Sequence, residues 1–249
     1  MKSLTIALAL LGLVSAAAGE TFSATEKFSQ TYPLAANGTV QLSNVNGAVD
    51  IVAWDKSEVA LEAEKRAPDS DALARIHLAI DASPDRLVVK TEHEKTSWFG
   101  RSVRGEVRYQ LKVPAGVSLE KIEVVNANIV VRGVRGSVHL ETVNGSIRAA
   151  KLAGDARLKS VNGGITAAFD VIAAGQSISA ESVNGACELT LPKDAGAHLD
   201  LSSVNGGTRC AFPITLEQTG RHRLRGTIGS GDATVKVQTV NGGISVRSN

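Results

Sequence analysis

Side chains able to do chemistry are sparse in this 249-residue chain, and they are scattered. The five histidines are His77, His93, His139, His198 and His222, and none has a cysteine or a second histidine at metal-ligand spacing. A calcium cluster or a glycosidase carboxylate pair needs acids gathered at one place. Asp155 and Asp200 stand instead in different segments, at different positions of the repeat described below. The sequence holds no Gly-x-Ser-x-Gly elbow, phosphate loop or dinucleotide fingerprint. Gly229-Ser230-Gly231 precedes no helical pattern and reads as a chain corner. No catalytic, cofactor-binding or metal residue is therefore expected, and the chain is read as non-enzymatic.

One segment does carry recognition chemistry. Lys95 to Arg104 holds Trp98, Phe99, Arg101 and Arg104 in a chain that is only 4% aromatic. Trp, Phe and Arg are typical anchors of partner or sugar contacts, so these four residues are the expected partner contact. The plainer reading folds Trp98 and Phe99 back over the end of a sheet. Trp54 follows an alternating strand and is expected in the core.

The elements that position these residues announce themselves by repetition. Val-Asn-Gly occurs at 45–47, 143–145, 161–163, 183–185, 204–206 and 240–242, with a degenerate copy, Val125-Asn126-Ala127. From Val125 the steps are 18, 18, 22, 21 and 36 residues, the last about two rungs long. A period near 20 residues marks a solenoid. Aligned on the Val, apolar residues stand five and three places before it (Val138, Leu140; Ala156, Leu158) and four after it (Ile147, Ile165). Each half alternates as a half-buried strand, and the halves are out of phase, so the chain turns at Ser/Thr-Val-Asn-Gly. Asn46, Asn144, Asn162, Asn184, Asn205 and Asn241 are the structural corners, where Asn and Gly both tolerate positive φ. Hairpin turns are the alternative, but hairpins need no constant step. Outward columns include Glu141-Lys159-Glu181, which alternates in sign as stacked rungs favour.

Residues 1–18 read as a secretory signal: Lys2, the apolar run Leu4 to Val14, and Ala16-Ala17-Ala18 as the cleavage site. That run is too short to span a bilayer, and no other stretch could. The mature protein is expected in the periplasm or secreted. Without Lys2, 26 basic face 25 acidic side chains, which is no footprint for nucleic acid. Cys187 and Cys210 would meet an oxidising compartment. Their offset in the repeat places the Cα atoms about 8 Å apart on adjacent rungs, beyond the ~5.5 Å of a disulfide unless a bulge intervenes. A bridge and two buried thiols both remain open.

Residues 19–115 form an N-terminal β portion that includes the first Val-Asn-Gly rung. Ser57 to Val113 alternates as antiparallel strands, suggesting a sheet packed on the solenoid's first end. Residues 116–249 are the repetitive solenoid. The fold class is all-β: stacked rungs, parallel β-helix-like, with an antiparallel N-terminal portion.

The order of motifs resembles the bacterial "putative adhesin" domain of unknown function. The resemblance rests on Val45-Asn-Gly-x-Val-x-Ile-x-x-Trp54, Leu111-Lys-Val-Pro-Ala-Gly116 and the successive Val-Asn-Gly rungs, over about residues 37 to 247. It implies an exported β-solenoid without an established catalytic site. The leading expectation is an envelope or surface interaction module for a protein or glycan, without cofactor, nucleic acid or membrane span. A β-helix enzyme acting on polysaccharide is the second reading. A structural or stress-sensing envelope component with a protein partner is the third.

Overall fold

The structure, a computed structural model, describes residues 22–94 and 105–249. The expected signal segment lies outside them. The chain begins with β1 (Ala24–Pro33), β2 (Thr39–Asn46), β3 (Val49–Trp54) and β4 (Glu58–Ala67). A short helix α1 (Ser70–Ala74), capped by the Asp69 carboxylate, leads to β5 (Ile76–Ala82), β6 (Arg86–His93) and β7 (Glu106–Pro114). The repeat then supplies one strand pair per rung. These are β8 (Ser118–Asn126) with β9 (Ile129–Arg132) and β10 (Val138–Asn144) with β11 (Ile147–Leu152). They continue as β12 (Ala156–Asn162) with β13 (Ile165–Phe169) and β14 (Ser177–Asn184) with β15 (Cys187–Leu191). After β16 (Ala197–Ser203) and β17 (Thr208–Cys210) comes a hairpin, β18 (Thr215–Thr219) and β19 (Arg223–Ile228). β20 (Ala233–Asn241) and β21 (Ile244–Ser248) follow.

The first strand of each pair joins an eleven-stranded sheet, ordered β18-β19-β16-β20-β14-β12-β10-β8-β2-β6-β5. The second joins a ten-stranded sheet, ordered β1-β4-β7-β3-β9-β11-β13-β15-β21-β17. Equivalent residues of successive rungs sit side by side in parallel register, as Leu140 beside Leu158 and Leu158 beside Ala180. The alternation seen in the sequence thereby becomes two apolar columns. Leu42, Ile122, Leu140, Leu158, Ala180, Val237 and Leu201 line one sheet, and Val49, Ile129, Ile147, Ile165, Cys187 and Ile244 face them from the other. None of these is more than 1% exposed. Burying each large aliphatic side chain is worth about 2 kcal/mol, and the columns hold the two sheets together.

Two features depart from the sequence reading. The antiparallel pairs β1–β4, β4–β7 and β5–β6 exist. They do not form a separate sheet on the solenoid's end, because β6 runs parallel to β2 and β7 parallel to β3. β6 and β7 are a further rung whose corner has no Val-Asn-Gly, so the repeat does not reveal it. Both sheets combine strands from either side of residue 115, as β2 beside β8 and β3 beside β9.

The second departure is the order of rungs. β20 lies between β14 and β16, and β21 between β15 and β17. The last rung in sequence is next to last in space. The 36-residue step does not hold two successive rungs. It holds the end of the β16–β17 rung and the hairpin, whose β19 pairs antiparallel with the outer edge of β16, before the chain turns back.

Candidate interaction surface

Each Ser/Thr-Val-Asn-Gly corner divides its work among its residues. The hydroxyl points inward and donates to a corner carbonyl of the neighbouring rung. Thr142 donates to Ala127 O, Ser160 to Gly145 O, Ser182 to Gly163 O, Thr239 to Gly185 O and Ser203 to Gly242 O, at 2.9–3.0 Å. All five side chains are buried, so each bond satisfies a hydroxyl that would otherwise be buried without a partner. In the first rung Asn44 takes this place and donates to Gly47 O and Val107 O.

The asparagine points outward. Asn126 donates to Asn46, Asn144 to Asn126, Asn162 to Asn144, Asn184 to Asn162, Asn241 to Asn184 and Asn205 to Asn241, each Nδ2 to Oδ1 at 2.8–2.9 Å. Asn126, from the degenerate copy, is a full member. All donors point the same way, so the amides polarise one another. The glycine is needed for close approach. A Cβ on Gly163 would overlap the Gly145 carbonyl, and one on Gly185 the Gly163 carbonyl. Among the corner glycines only Gly47 has a positive φ, 107°. Stacking distance, rather than the expected left-handed backbone, is what calls for glycine at the other corners.

The valine is turned to solvent. Val45, Val125, Val143, Val183, Val240 and Val204 are 37–61% exposed. One long edge of the solenoid therefore carries a ridge of valines beside the amide ladder.

The outer face of the eleven-stranded sheet carries the charged columns. His139, Arg157, Ser179, Lys236 and Asp200 are successive neighbours in one row, and Glu141, Lys159, Glu181, Gln238 and Ser202 in the next. An open groove of about 530 Å³ runs across these rows, with His139, Arg157 and Lys236 set among Glu120, Asp155 and Glu181. His139 Nε2 lies 2.9 Å from Glu141 Oε1. That hydrogen bond, helped by the charges of His139, Lys159 and Arg157, holds the Glu141 carboxyl below its ordinary range against the opposing effect of burial. The Asp155 carboxylate accepts from Ser177 N at 2.8 Å. The groove offers both signs of charge and several hydroxyls on a rigid sheet.

At the hairpin end, Asp200 Oδ2 is 2.6 Å from Arg225 Nη2 and 3.4 Å from Arg223 Nη2. Burial alone would raise the Asp200 pKa, but the hydrogen bond and charge of Arg225, with Arg223 behind it, hold it below the usual carboxylate range. Arg223 and Arg225 of the hairpin are thus engaged in an internal ion pair.

The remaining expected site residues fall as follows. Trp98, Phe99, Arg101 and Arg104 lie outside the described residues. Both cysteines are free thiols. Cys187 pairs with Ile244 while Cys210 pairs with Val246, so β21 stands between them. Insertion of the last rung, which the repeat spacing does not disclose, removes the adjacency that a bridge requires. Burial pushes the Cys187 thiol up to about 12 and also raises Cys210. Trp54 is partly exposed rather than core; its Nε1 donates to Glu58 O at 2.8 Å, and Lys56 Nζ sits 4.8 Å from the ring centroid.

This architecture of stacked two-sheet rungs, with inward hydroxyls at the five Ser/Thr-Val-Asn-Gly corners, defines the class. Residues 126–247 match the sequence profile of the Toastrack DUF4097 domain, a family of unknown function. A solved structure of a putative cell adhesion protein from Clostridium sporogenes is similar, at 9% identity and a TM-score of 0.50, over 91% of this chain and 100% of that one. At that identity it shows the shared fold alone. A putative adhesin from Bacteroides fragilis is similar at 12% identity and a TM-score of 0.36, over 89% of this chain and 97% of that one. No curated protein matches the chain in sequence. Among the described residues no helix is long and apolar enough to cross a membrane.

Proposed function

We propose that the protein is a non-enzymatic interaction module of the cell envelope or surface, exported by its N-terminal segment, that holds a surface protein or glycan. The observation that supports this most is the repetition of outward side chains. Stacking turns each outward position into a straight row, as in His139-Arg157-Ser179-Lys236-Asp200. A row of polar groups spaced about 4.8 Å apart suits an extended ligand gripped at many points. The mixed charge and the hydroxyls of the groove fit a polar chain better than an apolar one. The similar fold of a putative cell adhesion protein points the same way. The Trp98, Phe99, Arg101 and Arg104 segment, which joins β6 to β7, adds aromatic and basic anchors in this reading.

The test is binding of the mature protein to immobilised envelope glycans and surface proteins. The charge reversals Arg157→Glu and Lys236→Glu touch only exposed positions, so they should weaken capture with the melting temperature unchanged. The pair Trp98→Ala, Phe99→Ala should do the same. Capture untouched by either pair, or release of shortened glycan on incubation, would remove this reading in favour of another surface or of polysaccharide cleavage.

A further inference from the structure

We infer that Asn205-Gly206 is a site of spontaneous covalent modification, at which the amide of Asn205 is lost through a cyclic imide, and that the stack protects the interior Asn-Gly corners from this reaction. Asn-Gly is the dipeptide most open to the chemistry, because glycine leaves the attacking nitrogen unhindered. This chain holds seven such pairs, six at the corners and Asn37-Gly38 in the turn before β2, where Gly38 N donates to Ala35 O at 2.9 Å, and the fold does not treat the corners alike.

The reaction needs a free backbone N–H after the asparagine and freedom of the Asn to bring its side chain onto that nitrogen. At the interior corners both are denied. Gly145 N donates to Asn162 O, Gly163 N to Asn184 O and Gly185 N to Asn241 O, at 3.0–3.1 Å. Asn144, Asn162 and Asn184 are the last residues of β10, β12 and β14, in extended backbone. Each of their side chains also donates to one neighbouring amide and accepts from another.

At Asn205 these restraints are absent or halved, although Val204 N and Asn205 N still donate to Thr239 O and Val240 O of β20. β16 stops at Ser203, so Asn205 alone among the ladder residues lies outside a strand. Gly206 N has no hydrogen-bond partner among the described residues. The Asn205 side chain has one ladder bond, to Asn241. Val204 beside it is 61% exposed, against 37–40% for the other exposed corner valines. Gly206 O is held by His222 Nδ1 at 2.7 Å, a contact that leaves the attacking nitrogen unengaged. Gly47 N and Gly242 N also lack partners. Asn46 and Asn241 nonetheless end β2 and β20, and their side chains are bonded on both sides.

The chemistry balances with water as the only co-reactant. Gly206 N loses its proton to solvent base and attacks Cγ of Asn205. The new C–N bond forms as the Cγ–Nδ2 bond breaks and ammonia leaves. Water then opens the imide at either carbonyl, leaving an aspartate or an isoaspartate. Either product removes the Nδ2 donor to Asn241 and places a carboxylate oxygen against that acceptor. Isoaspartate also lengthens the backbone by one methylene, at the junction of β16 and β17. The modification therefore loosens the terminal rung and leaves the interior stack intact.

The experiment is peptide mapping by mass spectrometry of the full chain, incubated in mildly alkaline buffer and sampled over days, with isoaspartate counted by enzymatic methylation. Asn205 should lose its amide at least about tenfold faster than Asn144, Asn162 or Asn184, whose reaction waits on local opening of the stack. In denaturant all seven pairs should react at similar rates, which assigns the difference to the fold. Asn205→Gln should abolish the signal in its own peptide without altering the others. Interior corners that keep pace with Asn205 in the native protein, an Asn205 that keeps its amide, or an unequal ranking that persists in denaturant would each overturn the inference.

Discussion

The rungs that end at Asn144, Asn162 and Asn184 and the rung that ends at Asn205 share one corner sequence, yet they behave as two kinds of structure. In the interior, each corner asparagine bonds toward both neighbouring rungs. At Asn205 the Ser203 hydroxyl and the amide still bond toward β20–β21, but no Val-Asn-Gly corner stands beyond. There β17 shrinks to three residues. The antiparallel hairpin covers β16 instead, with the Asp200–Arg225 pair in place of a further parallel strand. A corner motif thus specifies how to stack, while the number of neighbours decides how much stability each residue returns.

The largest contrast should come from glycine. Gly163→Ala forces a Cβ onto the Gly145 carbonyl, and backbone cannot yield cheaply. We expect a loss of about 3 kcal/mol, or a melting temperature lower by about 6–12 °C. Gly207→Ala, where nothing lies within 4 Å, should change stability by no more than about 0.5 kcal/mol. Equal effects in calorimetry would mean that stacking distance does not select the corner glycine.

Next in size is the inward hydroxyl. Ser160→Ala leaves the partly buried Gly145 carbonyl without its donor and should cost about 1 kcal/mol in denaturant unfolding. A neutral result would show that water replaces the hydroxyl inside the stack.

The outward amides come third. Asn162→Ala breaks two exposed ladder bonds and should cost about 1 kcal/mol. Asn205→Ala breaks one and should cost about half as much. A larger loss at Asn205 than at Asn162 would invert the comparison between end and interior.

The smallest effect is in acid. The folded pKa of Asp200 is depressed, so its ion pair contributes stability above the unfolded carboxylate value of about 3.9, and that contribution is lost as pH falls through the folded value. Asp200→Asn should be slightly less stable than the parent at neutral pH, by under about 1 kcal/mol given the exposure of the pair, and should converge with it below about pH 3. Melting curves that stay parallel through this range would show that the pair contributes nothing.

Much of this fold is legible in the chain. The period, the out-of-phase halves and the rows His139-Arg157-Ser179 and Glu141-Lys159-Glu181 follow from counting residues from each Val, because parallel register preserves sequence offset. Two elements are not legible, for physical reasons. β6 and β7 pair through backbone hydrogen bonds and aliphatic side chains that any alternating strand supplies, without the corner that marks a rung. The place of the last rung is hidden because all corners carry the same chemistry: Asn241 bonds Asn184 as well as Asn205 would. Only the hairpin on the outer edge of β16 shows that the slot before it belongs to residues 233–248. The groove shows the same limit. Its rows can be read from the sequence, but the seat of Lys236 between Ser179 and Asp200 cannot.

The order of rungs is the claim on which the ladder, the free cysteines and the exposed Asn205 corner all depend. Glu123, Glu141, Lys159, Glu181, Gln238 and Ser202 are successive neighbours across the sheet. Nitroxide labels on Glu123 and Gln238, four strands apart, should give a distance near 19 Å by double electron–electron resonance. Labels on Glu123 and Ser202, five strands apart, should give about 24 Å at ~4.8 Å per strand. A shorter distance to Ser202 than to Gln238 would mean that the rungs stack in chain order, and would contradict the inserted C-terminal rung.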